Sequence, residues 1–179
     1  MESSNLEFYR NSIDYILSVQ NKDGSIPWEL DEKLDPWDHI EAAMGLSIAG
    51  KKDEAEKAFL WLSDSQLQDG SWYAEYLNSI PMTQRKETNF SAYIGTGLWH
   101  YYLIFKDKDF IENMLPTLSK ALDFVLSMQT ENGDIYWACE EGKQILDDSL
   151  ITGSSSIYKS LECTAAILNL FDKPIESII

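Results

Sequence analysis

Cysteine, arginine and histidine are all scarce in this chain: its 179 residues hold two of each. Cys139 and Cys163 stand far apart and in no C-x-x-C pairing, which excludes a disulfide framework and a cysteine-based zinc knuckle. Arginine occurs only at Arg10 and Arg85, and no lysine-rich stripe replaces it. With 30 acidic against 14 basic side chains, the net charge is −16, the wrong sign for nucleic acid or an anionic membrane surface. No apolar run reaches membrane-spanning length; the longest, Leu98 to Phe105, is broken by His100, so no membrane insertion is expected. The opening Met1-Glu2-Ser3-Ser4-Asn5 lacks the basic and apolar regions of a signal peptide, and a reducing cytoplasm is the expected location. No segment reads convincingly as a strand. What is present is 44% hydrophobic residues, 12% aromatics and six Trp, enough to build a core.

A repeat organises the chain. Gln20-Asn21-Lys22-Asp23-Gly24-Ser25-Ile26 returns as Gln66-Leu67-Gln68-Asp69-Gly70-Ser71-Trp72, and again as Gln129-Thr130-Glu131-Asn132-Gly133-Asp134-Ile135. A Trp lies in or close behind each copy: Trp28, Trp72 and Trp137. Ahead of each copy runs an amphipathic helical pattern. The first carries Leu6, Tyr9, Ile13, Ile16 and Leu17, with Ser4 and Glu7 as a capping box; the second covers residues 53–65; the third ends at Met128, with Pro116 near its first turn. The Asp-Gly or Asn-Gly ends each helix, because Gly accepts the left-handed backbone of a helix C-terminus. A long connection follows, then a second helix: residues 40–49, 91–105 and 155–170, with Pro174 after the last. The latter two are apolar on nearly every face and are expected to be buried. Asp38, Asn89 and Ser154 or Ser155 are the expected N-caps. The expected fold is all-α: three outer/inner helical hairpins at residues 5–50, 53–105 and 109–171.

The Q-x-x-D-G-x-W pattern on such hairpins resembles the prenyltransferase and squalene-cyclase (QW) repeat of the terpenoid-cyclase-like α/α toroid. The resemblance implies that Gln20, Gln66 and Gln129 cap helix ends and that Trp72 stacks beneath; Trp28 and Trp137 fall two residues late. Toroids of this kind close a ring of five to seven hairpins, so three make about half of one. The closing Ile175-Glu176-Ser177-Ile178-Ile179 favours a fragment whose C-terminal half is missing, with a homodimer as the other way to close the ring. The family's D-x-D-D and D-D-x-x-D motifs are not matched: Ile145-Leu146-Asp147-Asp148 has Ile where the first Asp belongs, and Asp147-Asp148-Ser149-Leu150-Ile151 lacks the last. A zinc site built on Cys163 with His39 or His100 lacks the family's Gly-rich context. No metal and no cofactor is therefore expected.

Loop lengths point to the working face. Outer-to-inner connections are long and inner-to-outer ones short, and long loops on one face of a domain are usually functional. The long loops hold aromatics and acids, among them Trp28, Trp37, Glu75, Glu87, Glu140 and Glu141; Arg85, Lys86 and Lys143 are their chief cations. Catalytic candidates are Asp38, His39, Glu41, Asp147, Asp148 and Glu162. Substrate-binding candidates are Trp28, Trp37, Trp72, Tyr76, Asn89, Trp99, His100, Trp137 and Tyr158. Three functions follow. The leading one, implied by the resemblance, is an enzyme or enzyme half of the prenyltransferase/terpenoid-cyclase superfamily acting on a small isoprenoid-like molecule, whose carbocations aromatic faces would stabilise. The second is a carbohydrate-active α/α barrel, hydrolase or lyase, in which Trp and Tyr stack on sugars and paired carboxylates act as acid and base. The third is a non-catalytic module that binds a partner. The acidic, arginine-poor loops weigh against an unassisted diphosphate site.

Overall fold

A computed structural model describes residues 8–140 and 145–173. The Ser4–Glu7 capping box, Glu141, Lys143, Pro174 and the closing Ile175–Ile179 lie outside the described residues. Among the described residues six helices alternate in role: outer α1 (Arg10–Val19), α3 (Lys52–Ser65) and α5 (Lys108–Ser127), and inner α2 (Pro36–Ile48), α4 (Thr88–Phe105) and α6 (Ile151–Asn169). The inner helices pack side by side in the order α2–α4–α6, while α3 and α5 lie against α2 and α4 and against each other. All-α hairpins are thus what forms. No helix among the described residues is long and apolar enough to cross a membrane.

The core follows from the periodicity. Ala55, Ala58, Phe59 and Leu62 of α3 are wholly buried and meet Ile40, Ala43 and Leu46 of α2 and Ile94, Leu98 and Tyr101 of α4 in one cluster. Burying a side chain of this size contributes about 1.5–3 kcal/mol each. Small residues set the spacing of the inner layer. A Cβ on Gly97 would lie 2.6 Å from Ile40 Cγ2, and one on Gly95 would lie 2.8 Å from the Ser160 carbonyl of α6.

The repeated turn proves to be a joint between hairpins. The Gln20 amide donates to Gly24 O (3.2 Å) within its own turn and to Glu54 O (2.9 Å) on the next outer helix. Gln66 repeats this with Gly70 O (3.0 Å) and Thr117 O (2.8 Å). Gly24 and Gly70 have φ of +96° and +90°, and a Cβ on either would collide with the carbonyl of Lys57 or Lys120. Glycine is therefore required twice over, for its backbone angle and for the close approach. Asp23 and Asp69 fix the turns by accepting from the backbone N–H and hydroxyl of Ser25 and Ser71. Trp72 is buried at 1% exposure with Nε1 on Leu62 O (2.9 Å).

Several expectations need correction. The loops do contain strands. β1 (Lys33–Leu34), β2 (Tyr76–Leu77) and β3 (Ile80–Pro81) form one antiparallel sheet. β4 (Arg85–Glu87), β5 (Ala138–Glu140) and β6 (Ile145–Leu146) form another. Strands of two or three residues are too short for an alternating pattern to register in sequence. The sheets stitch the first long loop to the second and the second to the third, Lys33 opposite Leu77 and Arg85 opposite Glu140. The third outer helix begins at Lys108, capped by Asp107 on Phe110 N–H, so Pro116 sits inside it rather than near its first turn. The inner helices also begin earlier than expected. Asp35, not Asp38, caps α2, while Asn89, Ser154 and Ser155 lie within α4 and α6. Nor is α6 buried all round: Tyr158 and Glu162 are exposed.

Substituting Gln66→Ala removes two partly buried bonds and is expected to cost about 1–3 kcal/mol in urea unfolding. Gly70→Ala should cost more, because it meets backbone rather than a movable side chain.

Candidate functional site

The three long loops gather at the N-terminal ends of the inner helices, and the first of them carries the densest chemistry. Asp35 precedes Pro36 at the first position of α2, an arrangement that starts a helix sharply. Its Oδ1 accepts from Asp38 N–H (2.9 Å) and its Oδ2 from the Trp28 indole N–H (2.8 Å). The carboxylate is buried at 6% exposure and sits at a helix N-terminus, where negative charge is favoured. The Trp28 ring lies half exposed, with Lys33 Nζ 4.2 Å from its centroid.

Asp38 stands one turn further on and reaches the surface. Partial desolvation first, then the neighbouring charge of Asp35 and a hydrogen bond to it, raise the Asp38 carboxyl to about 6; Glu41 adds to the rise. A carboxyl that keeps its proton in weak acid is a candidate general acid. Glu41 carries an aromatic ledge, its Oε1 accepting from the Trp37 indole (3.0 Å) and the Tyr93 hydroxyl (3.2 Å). Trp37 and Tyr93 stack at 3.8 Å with 7° between planes, and Phe90 lies 6.3 Å from Trp37. Burial, then Glu41, pushes the Tyr93 hydroxyl up to about 12, so it remains a donor. A cavity of about 270 Å³ opens beside Asp38, with Trp28, Tyr15 and Ile16 in its wall.

The surrounding loops hold most of the local cations in ion pairs. Glu75 pairs with Lys33 (3.3 Å) and lies 3.9 Å from Arg85, which binds Glu87 at 2.9 Å. Lys86, itself buried, pairs with Asp69 (2.8 Å). Burial raises the Glu87 carboxyl, and Arg85 opposes that rise.

The structure therefore brings Trp28, Trp37, Asp38 and Glu41 together, and distributes the other candidates elsewhere. His39 faces the interior at 0% exposure, with Nδ1 accepting from Ile26 N–H (3.1 Å) and Nε2 2.9 Å from Ala58 O. Those partners make Nε2 the protonated nitrogen and leave His39 as a strut between turn, inner helix and outer helix. Trp72 and Tyr76 are buried, Tyr76 edge-on to Trp61 at 5.4 Å. Asn89 is half-buried in the first turn of α4, and Trp99 stacks with Tyr102 at 5.5 Å. Burial lowers the half-buried His100, whose Nδ1 finds no partner among the described residues. Trp137 lies near Arg85, 6.0 Å from ring centroid to guanidinium, and its carbonyl accepts from Thr88 N–H. Asp147 and Asp148 are exposed beyond β6. Tyr158 is 66% exposed, and Glu162 pairs with Lys159 (3.2 Å) on its own helix. Sequence reasoning missed the part played by Asp35. The signal was Asp immediately before Pro at the start of an apolar helix.

No protein-family model matches the chain. It is 38% identical over 165 residues to an MMP endo-(1,4)-3-O-methyl-alpha-D-mannosidase of Mycolicibacterium hassiacum, covering 92% of this chain and 46% of that protein. The chain thus spans about half the length of the curated relative it matches. Among solved structures it superposes on a cellobiose 2-epimerase from Bacillus thermoamylovorans, with TM-score 0.66, 17% identity, and 94% of this chain on 48% of that one. It also superposes on an unsaturated glucuronyl hydrolase specific for heparin, with TM-score 0.69, 16% identity, and 92% of this chain on 51% of that one. The fold is thereby a partial α/α toroid. The resemblance to the prenyltransferase and squalene-cyclase family is overturned, and with it the isoprenoid reading, because the relative and the superposed toroids are carbohydrate enzymes. The physical reason lies in the motif itself. Gln20 and Gln66 bond only to backbone carbonyls, so the repeat reports how hairpins join and says nothing of what the cavity does.

Burial holds the His39 imidazole down to about 4 against its ordinary 6.5. Above pH 6.5 folded and unfolded chains both keep it neutral. As pH falls toward 4 only the unfolded chain takes up the proton, so stability is lost across that window, by about 3 kcal/mol from this group. Urea midpoints measured between pH 7 and 4 should show the loss, and His39→Gln should flatten it.

Proposed function

We propose that this chain is a segment of a carbohydrate-active α/α toroid that hydrolyses glycosidic bonds, with an α-mannoside-type glycan as substrate. The observation that carries the reading is the Asp35–Asp38 pair at the start of α2. One carboxyl is buried and held by two donors, and the other is raised to about 6 beside it. A carboxyl that holds its proton in weak acid is what acid-assisted cleavage of a glycosidic bond requires. The aromatic ledge supports the same reading. Trp28, Trp37 and Tyr93 offer flat apolar faces for sugar rings, and Glu41 on that ledge offers hydrogen bonds to hydroxyls. The choice of α-mannoside rests on the 38% identity to the mycolicibacterial mannosidase.

In this reading Asp38 gives its proton to the glycosidic oxygen as the bond to the anomeric carbon breaks. The leaving group departs as the alcohol so formed, and water bonds to the anomeric carbon to become its new hydroxyl. Asp35 orients Asp38 and keeps its proton affinity high. Glu41, one turn along the same helix, is the second carboxylate on the ledge and the base that takes the proton from water. His39 serves by fixing α2 against the turn, and Asp147, Asp148 and Glu162 are assigned no step. The three hairpins form one toroid segment rather than separate domains.

The test is turnover and binding on α-(1,4)-linked manno-oligosaccharides, with and without 3-O-methyl groups. Asp38→Asn should lower kcat by about 10²–10⁴-fold with helical content unchanged. Activity should fall as pH rises above about 6, as Asp38 loses its proton. Trp37→Ala should raise KM by about tenfold with a smaller change in kcat. Absence of both turnover and saturable binding across such a panel would sink the reading.

A further inference from the structure

Two tryptophans stand at one offset in the repeat: Trp28 comes eight residues after Gln20, and Trp137 eight after Gln129. The middle repeat has Ala74 at that place. It is wholly buried and its N–H donates to Arg85 O (2.7 Å), so the strand that carries Arg85 runs beside it. Each tryptophan has a cation over its ring. Lys33 Nζ lies 4.2 Å from the Trp28 centroid, and the Arg85 guanidinium lies 6.0 Å from that of Trp137. Glu75 stands between the two cations, 3.3 Å from Lys33 and 3.9 Å from Arg85. Trp28 is tied to Asp35 through its indole (2.8 Å). Trp137 has no such tie among the described residues.

Only the backbone of Trp137 makes hydrogen bonds. Its N–H donates to Asp148 O (2.9 Å), and its carbonyl accepts from the Thr88 N–H (2.9 Å) and hydroxyl (3.0 Å). The indoles of Trp28, Trp37, Trp61 and Trp72 all donate within the protein, whereas that of Trp137 meets no acceptor among the described residues. Beside it, Arg85 and Glu87 alternate with Lys86 along β4 and so share the face opposite the Lys86–Asp69 pair. Arg85 Nε binds one Glu87 oxygen at 2.9 Å. Among the described residues the two Nη groups of Arg85 and the second Glu87 oxygen make no hydrogen bond, and the arginine side chain is 34% exposed. A fork of donors, a carboxylate acceptor and an aromatic ring thus stand side by side. They are not remote from α2: burial raises the Glu87 carboxyl, Arg85 opposes the rise, and the charges of Asp35 and Glu75 add to it.

We propose that Trp137, Arg85 and Glu87 form a second sugar subsite, which takes a neutral hexose unit of the same glycan that is cleaved at Asp38. The inference rests on the carbohydrate reading above and extends it from the first long loop to the second and third. The chemistry is that of a sugar. An aromatic face takes the C–H side of a pyranose ring, the two Nη groups donate to neighbouring hydroxyl oxygens, and the free Glu87 oxygen accepts from a hydroxyl. A neutral unit fits better than an acidic one. Lys33 and Arg85 are matched by Glu75 and Glu87, with Asp35 close by, so no positive charge is left over for a carboxylate or sulfate on the sugar. The two tryptophan–cation units, joined through Glu75, give one glycan two holds, the first loop providing Trp28 and the third providing Trp137.

A length series of α-(1,4)-linked manno-oligosaccharides tests the subsite, with binding followed by calorimetry in the Asp38→Asn background so that the sugar stays whole. Trp137→Leu spares the backbone bonds, and Arg85→Lys keeps a cation beside Glu87; circular dichroism checks that both fold. Each should weaken the longer oligosaccharides about tenfold and leave the shortest one that binds unchanged. Trp28→Leu, at the matching offset beside Asp35, should weaken every length alike. Full affinity for the longer members in both variants overturns the subsite and leaves the proposed hydrolase standing. A loss equal at every length overturns it as well, since it would make Trp137 and Arg85 supports of the Asp38 site. Tighter binding of a uronate-bearing oligosaccharide, lost in Arg85→Lys, overturns the neutral assignment. If no member binds at any length, the proposed function falls and the subsite with it.

Discussion

One interaction sets the geometry on which everything else rests: a glutamine amide laid on the backbone carbonyl of the next outer helix, with a glycine beneath it. Each hairpin alone is an amphipathic pair with apolar surface left over, and the joint decides where that surface goes. Gln20 and Gln66 fix the pitch between successive outer helices, and the inner helices follow because Gly95 and Gly97 let α4 approach α6 and α2 closely. With the pitch set, the three long loops emerge on one side and are close enough to pair. Arg85 opposite Glu140 and Lys33 opposite Leu77 are consequences of that spacing, not causes of it. A two-residue strand has no stability of its own in water.

This hierarchy explains what was legible in the sequence. The joint demands Gln and Gly at fixed places, so its three copies stand out and carry the hairpins with them. The helix starts were misjudged because capping is local and has several solutions. Asp35 caps α2 with a carboxylate, whereas Glu87 and Leu150 precede α4 and α6 with no side-chain cap at all. The strands were invisible for the reason just given. The chemistry was misread because the most conspicuous motif belongs to the framework. A residue pattern that touches only backbone can recur wherever hairpins are joined in this way, whatever the cavity between them holds. Trp72 illustrates the point: it is the one tryptophan at the repeat's spacing, and it is buried with its indole on Leu62 O.

The acidity of the chain acquires a local meaning at α2. Around the second loop the cations are spent on acids: Lys33 and Arg85 on Glu75, Arg85 on Glu87, Lys86 on Asp69. The charges that bear on Asp38 are instead those of Asp35 and Glu41, both negative. Partial desolvation raises the Asp38 carboxyl and these charges add to the rise, where the Asp69 carboxyl, bonded to Lys86 and Ser71, is lowered. Net charge weighs against whole classes of partner; its uneven neutralisation adds to desolvation in leaving one carboxyl able to hold a proton in weak acid.

Asp38 and His39 are neighbours in sequence and point to opposite ends of the same problem. A helix that presents an acid to a cavity must be held still, and α2 is held from behind by an imidazole whose two nitrogens reach the turn before it and the outer helix after it. Burial keeps that imidazole neutral, which it must be for Nδ1 to accept from Ile26. The pH at which Asp38 is half protonated, about 6, lies above the point at which His39 takes up a proton, about 4. The strut thus keeps its tautomer throughout the range in which the acid titrates. Had the two affinities been reversed, protonating the strut would loosen α2 before Asp38 gained its proton. The order of these two titrations, set by full burial on one side of the helix and by partial desolvation beside other carboxyl groups on the other, lets Asp38 titrate while its neighbour holds the framework.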